Sequence, residues 1–436
     1  MSPRTAALSR WPGGVRTTPP SALRQGGMPS GGVAQLQSPP TGGRDVSANT
    51  FSVRRDPGYA GLTTPVETLP AAYYFDPQHY QRELDRIWYR NWIYACRSAD
   101  IGSARSFRTV EVGNQSILVV RGEDGTARAF HNTCRHRGAA LCREAAGRFG
   151  AGGIVCPYHS WRYSLRGELL STTSMQPADG FDRRNLPLYG LPLTEQRGFV
   201  FIALTLEPPP FEATFNPPLE RLDAWGLEGL VIGHRMHKTL QCNWKVFWEN
   251  YNECLHCPGV HPRLAQLVPI YGRALLERRD DPRWQDHADD DDPRYAGGLR
   301  RGAETWTMDG KPVGAPFPGL SAEDRKAGHV YIDALPSTFI VGHLDYVRVV
   351  RLLPLGPERT DMSIEYLFMP QTLADPSCDI MKAVEFTNIV MSEDAEICEV
   401  NQRGLHALPH DHGVLMPEEY AIRQFQDWVR AELKRP

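Results

Sequence analysis

The spacing of apolar residues changes character along this chain, and each change marks a different kind of element. From Asp76 to Trp92 (DPQHYQRELDRIWYRNW) apolar and aromatic residues recur at helical spacing behind an Asp-Pro start, which predicts an amphipathic helix. Short strand-like runs come next. Ser116 to Val120 and Ala127 to His131 flank the turn-forming Gly122-Glu123-Asp124-Gly125, predicting a hairpin whose second strand leads almost directly to Cys134. The β character persists through Gly198 to Leu204 (GFVFIAL), so residues 93–205 are expected to form a compact all-β domain. Pro208-Pro209-Pro210 and Pro217-Pro218 mark a boundary, and 206–436 is expected to be a second, larger domain on which 58–92 packs as a helix. Within 206–436 a helical pattern runs from Asn243 to Cys257, where Pro258-Gly259 must end it, and another runs from Phe386 to Leu405. Strand-like runs at Tyr331 to Val341, Tyr346 to Leu353 and Met362 to Met369 predict an antiparallel sheet with solvent or helix on each face. The expected fold class is α+β.

Composition refines this picture at the termini and in one loop. Residues 1–57 are rich in Pro, Gly, Ser, Thr and Arg and hold no acidic residue before Asp45, so a disordered extension is expected. The same composition resembles a transit peptide, and Met28 offers an alternative start; both readings stay open beside the first. Between Arg278 and Gly302 charge dominates, including Asp289 to Asp292, and a mobile surface loop is expected. At 436 residues, with 41% hydrophobic and 23% charged positions, the chain has material for two cores. A net charge of -3 gives no basic surplus for nucleic acid. No apolar run approaches the roughly 20 residues a membrane span needs, so no membrane association is expected. Nine cysteines scattered over this length do not form a disulfide framework, and a reducing, cytoplasmic setting is expected. Cys142, Cys254 and Cys257 read as small buried side chains rather than ligands.

The chemistry enters with two cysteine-histidine pairs, Cys134-Arg-His136 and Cys156-Pro-Tyr-His159. A Rieske [2Fe-2S] cluster takes two thiolates on one iron and two imidazoles on the other, and these pairs supply that set. Each pair suits the tip of its own β-hairpin: Arg137-Gly138 can turn the chain after the first, and Gly152-Gly153 precedes the short strand Ile154-Val155 that leads into the second. A structural Cys2His2 zinc site is the alternative, but zinc fingers run Cys, Cys, His, His with the histidines on a helix. Here the ligand types are interleaved and both segments read as turn plus strand. The stretches HNTCRHRG (131–138) and CPYHSWRY (156–163) resemble the cluster-binding loops of Rieske non-haem iron oxygenases.

A second cluster of ligands lies in NWKVFWENYNECLHCPGVHP (243–262), where His256 and His261 straddle the helix break and can face one point. Two imidazoles and one carboxylate make the facial triad that binds Fe(II) with positions open for dioxygen. Glu393, Asp394 and Glu396 are all candidates by position, and an acidic cluster on a helix is ordinarily a solvated face. The resemblance implies Asp394, because the family places an aspartate in a corresponding C-terminal helix.

The resemblance covers about residue 58 to the end and implies the rest of the system. It implies an all-β Rieske domain, a helix-grip (START-like) catalytic domain, a [2Fe-2S] cluster and a mononuclear non-haem Fe(II). Glu253 stands where relatives carry the acidic residue that bridges a cluster histidine of one subunit to an iron histidine of its neighbour, which implies a homotrimer. No G-x-G-x-x-G or plant-type ferredoxin cysteine run occurs, so NAD(P)H is expected to be oxidised on a separate reductase of flavin or ferredoxin type. Two departures bear on the small-molecule substrate: Leu255 replaces a tyrosine common in relatives, and Glu253 replaces the aspartate common in aromatic-ring dioxygenases. Glu253 looks more like the branch that oxidises quaternary ammonium compounds such as glycine betaine, choline, carnitine or stachydrine. The implied reaction is O2-dependent N-demethylation, with Trp306, Tyr331, Phe339 and Tyr346 available for an aromatic cage. An aromatic-ring hydroxylating dioxygenase is the alternative, and a pure electron carrier is excluded by the length and by His256 and His261.

Overall fold

The computed structural model describes residues 54–174 and 179–435. The extension expected over 1–57 lies outside them as far as residue 53. Residues 54–57 are held in place: Asp56 is buried, its backbone N–H donates to Pro282 O at 2.8 Å and its carboxylate accepts from Gln285 N at 3.0 Å.

The opening helix begins where its sequence signal puts it. Asp76 caps it by accepting from the N–H groups of Gln78 (2.6 Å) and His79 (3.1 Å), and Pro77 takes the first position, where a missing N–H costs nothing. Pro77–Glu83 is α-helical, Leu84–Trp88 continues as one π turn, and the helix stops short of Trp92. Its inner face joins the C-terminal half of the chain: Trp88 meets Trp244 edge to face at 5.2 Å, and Glu83 pairs with Lys245 at 2.6 Å, both fully buried. Two charges out of water need their remaining hydrogen bonds satisfied. Trp244 Nε1 donates to Glu83 at 2.8 Å and Asn243 Oδ1 accepts from Lys245 Nζ at 2.7 Å.

Residues 93–202 form three small antiparallel sheets. One runs in the order 190–191, 127–131, 115–121, 106–112, 146–148; a second in the order 193–196, 199–202, 93–97; a third in the order 154–155, 162–163, 169–171. The predicted hairpin is present, with Ile117 opposite His131 and Gly122 N donating to Thr126 O at 2.9 Å.

The larger sheet has six strands in the order 215–216, 330–334, 338–342, 347–356, 359–368, 231–240. The run Tyr331 to Val341, expected as one strand, is a hairpin of Val330–Ala334 and Thr338–Gly342. Pro336 has no N–H for a ladder, and Ser337 N turns back to Ala334 O at 3.1 Å. Alternation assigns the two faces. Phe339, Val341, Val350 and Ile364 pack with Phe386, Val390 and Met391 of the long helix Met381–Gly404. Ile332, Ile340, Val349 and Leu367 pack instead with Phe199 and Phe201. The expectation of solvent or helix on each face is therefore corrected: a second sheet covers one face, which is why Thr338–Gly342 is buried throughout. No helix among the described residues is long and apolar enough to cross a membrane.

Between 278 and 302, where a mobile loop was expected, local bonds order the chain. Asp280 is buried and accepts from the N–H groups of Leu276 (2.8 Å) and Glu277 (2.9 Å), and Asp292 caps the short helix Pro293–Ala296.

Candidate metal centres and the cavity beside them

The two cysteine-histidine loops have the same backbone plan. Cys134 N donates to Ala139 O and Cys156 N to Trp161 O, both at 2.8 Å; Gly138 N returns to Cys134 O and Ser160 N to Cys156 O, both at 3.0 Å. Each loop thus reverses at the fourth residue after its cysteine, where φ is positive: +77° at Gly138 and +53° at Ser160. Glycine relieves this at 138; Ser160 adopts it with a side chain. The second loop is the tip of the hairpin Ile154–Val155 and Arg162–Tyr163, as predicted. The first is not a hairpin tip. It crosses from Ala127–His131 to Ala146–Arg148, which pairs with the strand Ser106–Val112 two places away in the sheet. Asn132 fastens this crossing, accepting from Leu141 N (3.0 Å) and Cys142 N (2.9 Å) and donating to Cys142 O (2.7 Å). Cys142 is buried there, and burial lifts its thiol to about 12, as suits a packing residue.

All four predicted cluster ligands come together. Cys134 and Cys156 are buried, unbridged and close enough to interact, and the rings of His136 and His159 are 4.7 Å apart. Trp161 stacks on His136 at 4.7 Å. Tyr163 accepts from Arg135 N at 3.1 Å, which leaves its hydroxyl hydrogen for Cys134 Sγ at 3.2 Å. His159 Nδ1 is buried and has no hydrogen-bond partner among the described residues. A buried ring nitrogen with no partner, beside two thiols and a second imidazole, fits the donor set of a Rieske cluster.

The second centre is built on a helix break unlike the one predicted. The helix Trp244–Tyr251 ends six residues before Cys257, and Pro258-Gly259 lie inside a new short helix, Cys257–Val260. Pro258 is tolerated in that first turn because its N–H would have no partner there. His256 caps the short helix at its start and His261 at its end, so the two side chains flank it. Cys254 and Cys257, expected as separate small side chains, are joined as a disulfide around His256.

His256, His261 and Asp394 offer ligand atoms that lie within 4.8 Å of one another. His261 Nε2 is 2.9 Å and His256 Nε2 3.5 Å from Asp394 Oδ1, and the two Nε2 atoms are 3.1 Å apart. Behind each ring stands a carboxylate: Glu253 Oε1 at 2.5 Å from His256 Nδ1, and Glu393 Oε2 at 2.8 Å from His261 Nδ1. A proton held on each Nδ1 turns both Nε2 lone pairs inward, the arrangement metal-binding histidines use. Asn250 Nδ2 donates to Asp394 Oδ1 at 2.7 Å. Burial opposes charge on His256, but bonds to Asp394 and Glu253 outweigh it and raise the imidazole to about 9. Burial likewise opposes charge on Asp394, and the two histidines still hold it well below the usual carboxylate range. Two imidazoles and one carboxylate in this convergence fit a mononuclear non-haem iron.

Sequence reasoning missed Asn250, and it named Glu393 only as a possible third ligand, not as the partner of His261. Asp394 itself carried a readable signal. Thr387, Val390, Met391, Asp394, Ala395 and Cys398 form one buried stripe, so helical phase places Asp394 inward, whereas Glu396 is exposed.

A cavity of about 1040 Å³ opens onto His256, His261 and Asp394. Of the predicted aromatic residues, Trp306 and Tyr331 line it, joined by Tyr251 and Tyr271; Phe339 is fully buried and stacks on Tyr251 at 3.9 Å, and Tyr346 is fully buried too.

A two-cysteine, two-histidine cradle on small β-sheets, together with a two-histidine, one-carboxylate cluster beneath a helix-covered antiparallel sheet, defines the class of two-centre iron oxygenases. The Rieske [2Fe-2S] domain family matches residues 91–189, and the ring hydroxylating alpha subunit (catalytic domain) family matches residues 227–435. The chain belongs to the Rieske non-haem iron oxygenases, as a large catalytic subunit. It is 28% identical over 417 residues to the glycine betaine monooxygenase oxygenase subunit of Chromohalobacter salexigens, covering 91% of this chain and 90% of that one. It is 28% identical over 376 residues to the chloroplastic choline monooxygenase of Spinacia oleracea, covering 84% and 78%. A crystal structure of a quaternary ammonium Rieske monooxygenase matches with a TM-score of 0.67 at 23% identity, covering 85% of this chain and 96% of the other, which shows the fold. An oxygenase subunit of this family works with a Rieske cluster, a non-haem iron, O2 and electrons from a separate reductase.

Proposed function

We propose that Cys134, His136, Cys156 and His159 hold the [2Fe-2S] cluster and that His256, His261 and Asp394 hold the mononuclear iron. The convergence of each donor set and the partnerless His159 Nδ1 support this assignment. When bound, the two centres supply a one-electron relay and the activation of dioxygen. Glu253 and Glu393 keep the imidazole protons on the outer nitrogens, and Asn250 orients the Asp394 carboxylate. Glu253 is also the proposed bridge by which a neighbouring subunit's cluster reaches His256. No hydrogen bond among the described residues joins Glu253 to His136 or His159 of its own chain, in keeping with such a route. Tyr158 and Leu255, 58% and 36% exposed, are apolar surface beside the two centres that a neighbour would cover. The proposed assembly is a cytoplasmic homotrimer served by a flavin or ferredoxin-type reductase, each chain divided into a Rieske domain over 93–205 and a catalytic domain over 206–436.

The proposed reaction is N-demethylation of a quaternary ammonium compound such as glycine betaine. One atom of O2 enters an N-methyl C–H bond and the other leaves as water with two electrons and two protons; the carbinolamine collapses to formaldehyde and the shortened amine. The carrying observation is the cavity itself, which faces the three ligand atoms and is walled by Tyr251, Trp306 and Tyr331. Aromatic faces attract a cation that cannot donate a hydrogen bond. The substrates named for the relatives are consistent with this choice. Incubation with a reductase, NAD(P)H and a panel of betaines and aromatic acids tests it. Formaldehyde matching O2 uptake with a betaine is expected, while a ring diol without formaldehyde refutes the demethylase reading.

A further inference from the structure

The sheet register places a charge in the cavity wall that the proposed chemistry does not use. Tyr331 pairs with Val341, Val341 with Arg348 and Arg348 with Tyr366, so these four side chains share one face of the sheet. Tyr331, Val341 and Arg348 all line the cavity. Arg348 is 2% exposed, yet its Nε and Nη1 have no hydrogen-bond partner among the described residues. Its Nη2 makes only a long contact, 3.5 Å, to the Tyr251 hydroxyl. Trp306, whose ring centre is 6.0 Å from the guanidinium carbon, also lines the cavity and also has a buried, partnerless Nε1–H.

A guanidinium keeps its charge in a protein, and burying it without an anion is strongly unfavourable. Its planar fork matches a carboxylate through two parallel hydrogen bonds. Asp333, two residues along the strand from Tyr331, also lines the cavity, but no hydrogen bond or ion pair among the described residues joins any carboxylate to Arg348. Of the other acids that line the cavity, Glu253 and Asp394 stand with His256 and His261, and Glu432 pairs with Arg435. The cavity therefore holds an unpaired cation on the sheet, and paired carboxylates beside the ligand cluster. A substrate carrying only a positive charge would be repelled by the first. A zwitterion satisfies both, its carboxylate on the sheet side and its trimethylammonium group towards the atoms that would oxidise it.

We propose that Arg348, assisted by Trp306 Nε1–H, binds the substrate's carboxylate and restricts this enzyme to quaternary ammonium compounds that carry one. The proposal rests on the demethylase reading above and narrows it to betaines, excluding amino alcohols such as choline.

The test uses the full chain with both metals bound and matched pairs of ligands: glycine betaine against choline, and carnitine against its methyl ester, in which the carboxylate is masked. Calorimetric binding and formaldehyde release are measured for wild type, Arg348→Gln and Arg348→Lys. Wild type should prefer the carboxylate member of each pair by on the order of a hundredfold or more, as expected where a buried polar group would otherwise lack its partner. In Arg348→Gln that ratio should fall to within about threefold of unity, and Arg348→Lys should keep part of it because its charge remains. A structural arginine would lower the thermal midpoint of the ligand-free protein when replaced, whereas a binding arginine left uncompensated should leave it unchanged or raise it. No wild-type preference, or a ratio unmoved in Arg348→Gln, overturns the proposal. If no quaternary ammonium compound releases formaldehyde, benzoate and benzamide separate the two readings. Binding preference for benzoate that Arg348→Gln abolishes keeps the anion site and refutes the demethylase; equal binding overturns both.

Discussion

Glu253 and Glu393 occupy equivalent positions behind the two histidines, yet different consequences are expected from removing them. Each accepts from an Nδ1, at 2.5 and 2.8 Å, and so steers an imidazole. Glu393→Gln should weaken iron binding by about 10- to 100-fold, the range typical when a carboxylate behind a metal-binding histidine is lost, with turnover restored by excess iron. Glu253→Ala should keep the cluster absorbance and, at saturating iron, the bound metal, but lose turnover because the proposed route from a neighbouring cluster would be broken. Retained turnover would remove Glu253 from that route. Only part of this was legible at the residue scale. The spacing of His256 and His261 gained its meaning from the cysteine-histidine pairs in the same chain, and family resemblance singled out Asp394 from its acidic neighbours; Glu393 could not be placed behind a histidine because nothing in the sequence says that His261, 132 positions away, will reach its carboxylate.

The elements that hold the site carry a buried acid whose titration should be visible in stability. Glu249, near the end of the helix Trp244–Tyr251, accepts from Tyr74 Oη at 2.6 Å and Gln426 Nε2 at 2.9 Å, tying that helix to the N-terminal segment and to the C-terminal helix Tyr420–Lys434. Burial, only partly offset by these bonds, lifts its carboxyl to about 7. A carboxyl raised in the folded state takes up a proton on folding, so its stabilising contribution is complete below the unfolded value and is lost as pH rises through 7. Relative to Glu249→Gln, the wild type should lose about 2 kcal/mol as pH rises from about 4.5 through 7, with the loss complete roughly one pH unit higher, its partial exposure trimming the full effect. Thermal midpoints of the two proteins across that range read this directly, and parallel curves would contradict it. Element starts were legible because caps are local: Asp76 before Pro77 needs only its own next turn. Element ends were less so. Pro258 reads as a helix breaker, but it opens a new helix, because the chain had already turned at Asn252 and left the proline in a first turn.

At the scale of the whole molecule the prediction concerns which cluster serves which iron. A variant without the cluster, Cys134→Ser, and one without iron, Asp394→Ala, should each be inactive. Co-expressed, they should regain a substantial fraction of wild-type turnover, since mixed assemblies contain interfaces at which an intact cluster faces an intact iron site. Continued inactivity of mixed assemblies of confirmed composition would place electron transfer within one chain. Size-exclusion chromatography with light scattering should report three chains in the active species. The sequence by itself determined the family and its cofactors: the proposed ligands Cys134 with His136 and Cys156 with His159 sit so close along the chain that short turns suffice to aim them, and the donor types suit the cluster. It also determined the α+β division, because strand and helix periods are local properties. The tertiary structure alone decided what faces what. Covering of the six-stranded sheet on both faces, the carboxylate behind each histidine, and the exposure of Arg348 to the cavity all depend on side chains distant in sequence, whose meeting is set by packing and register rather than by any local pattern.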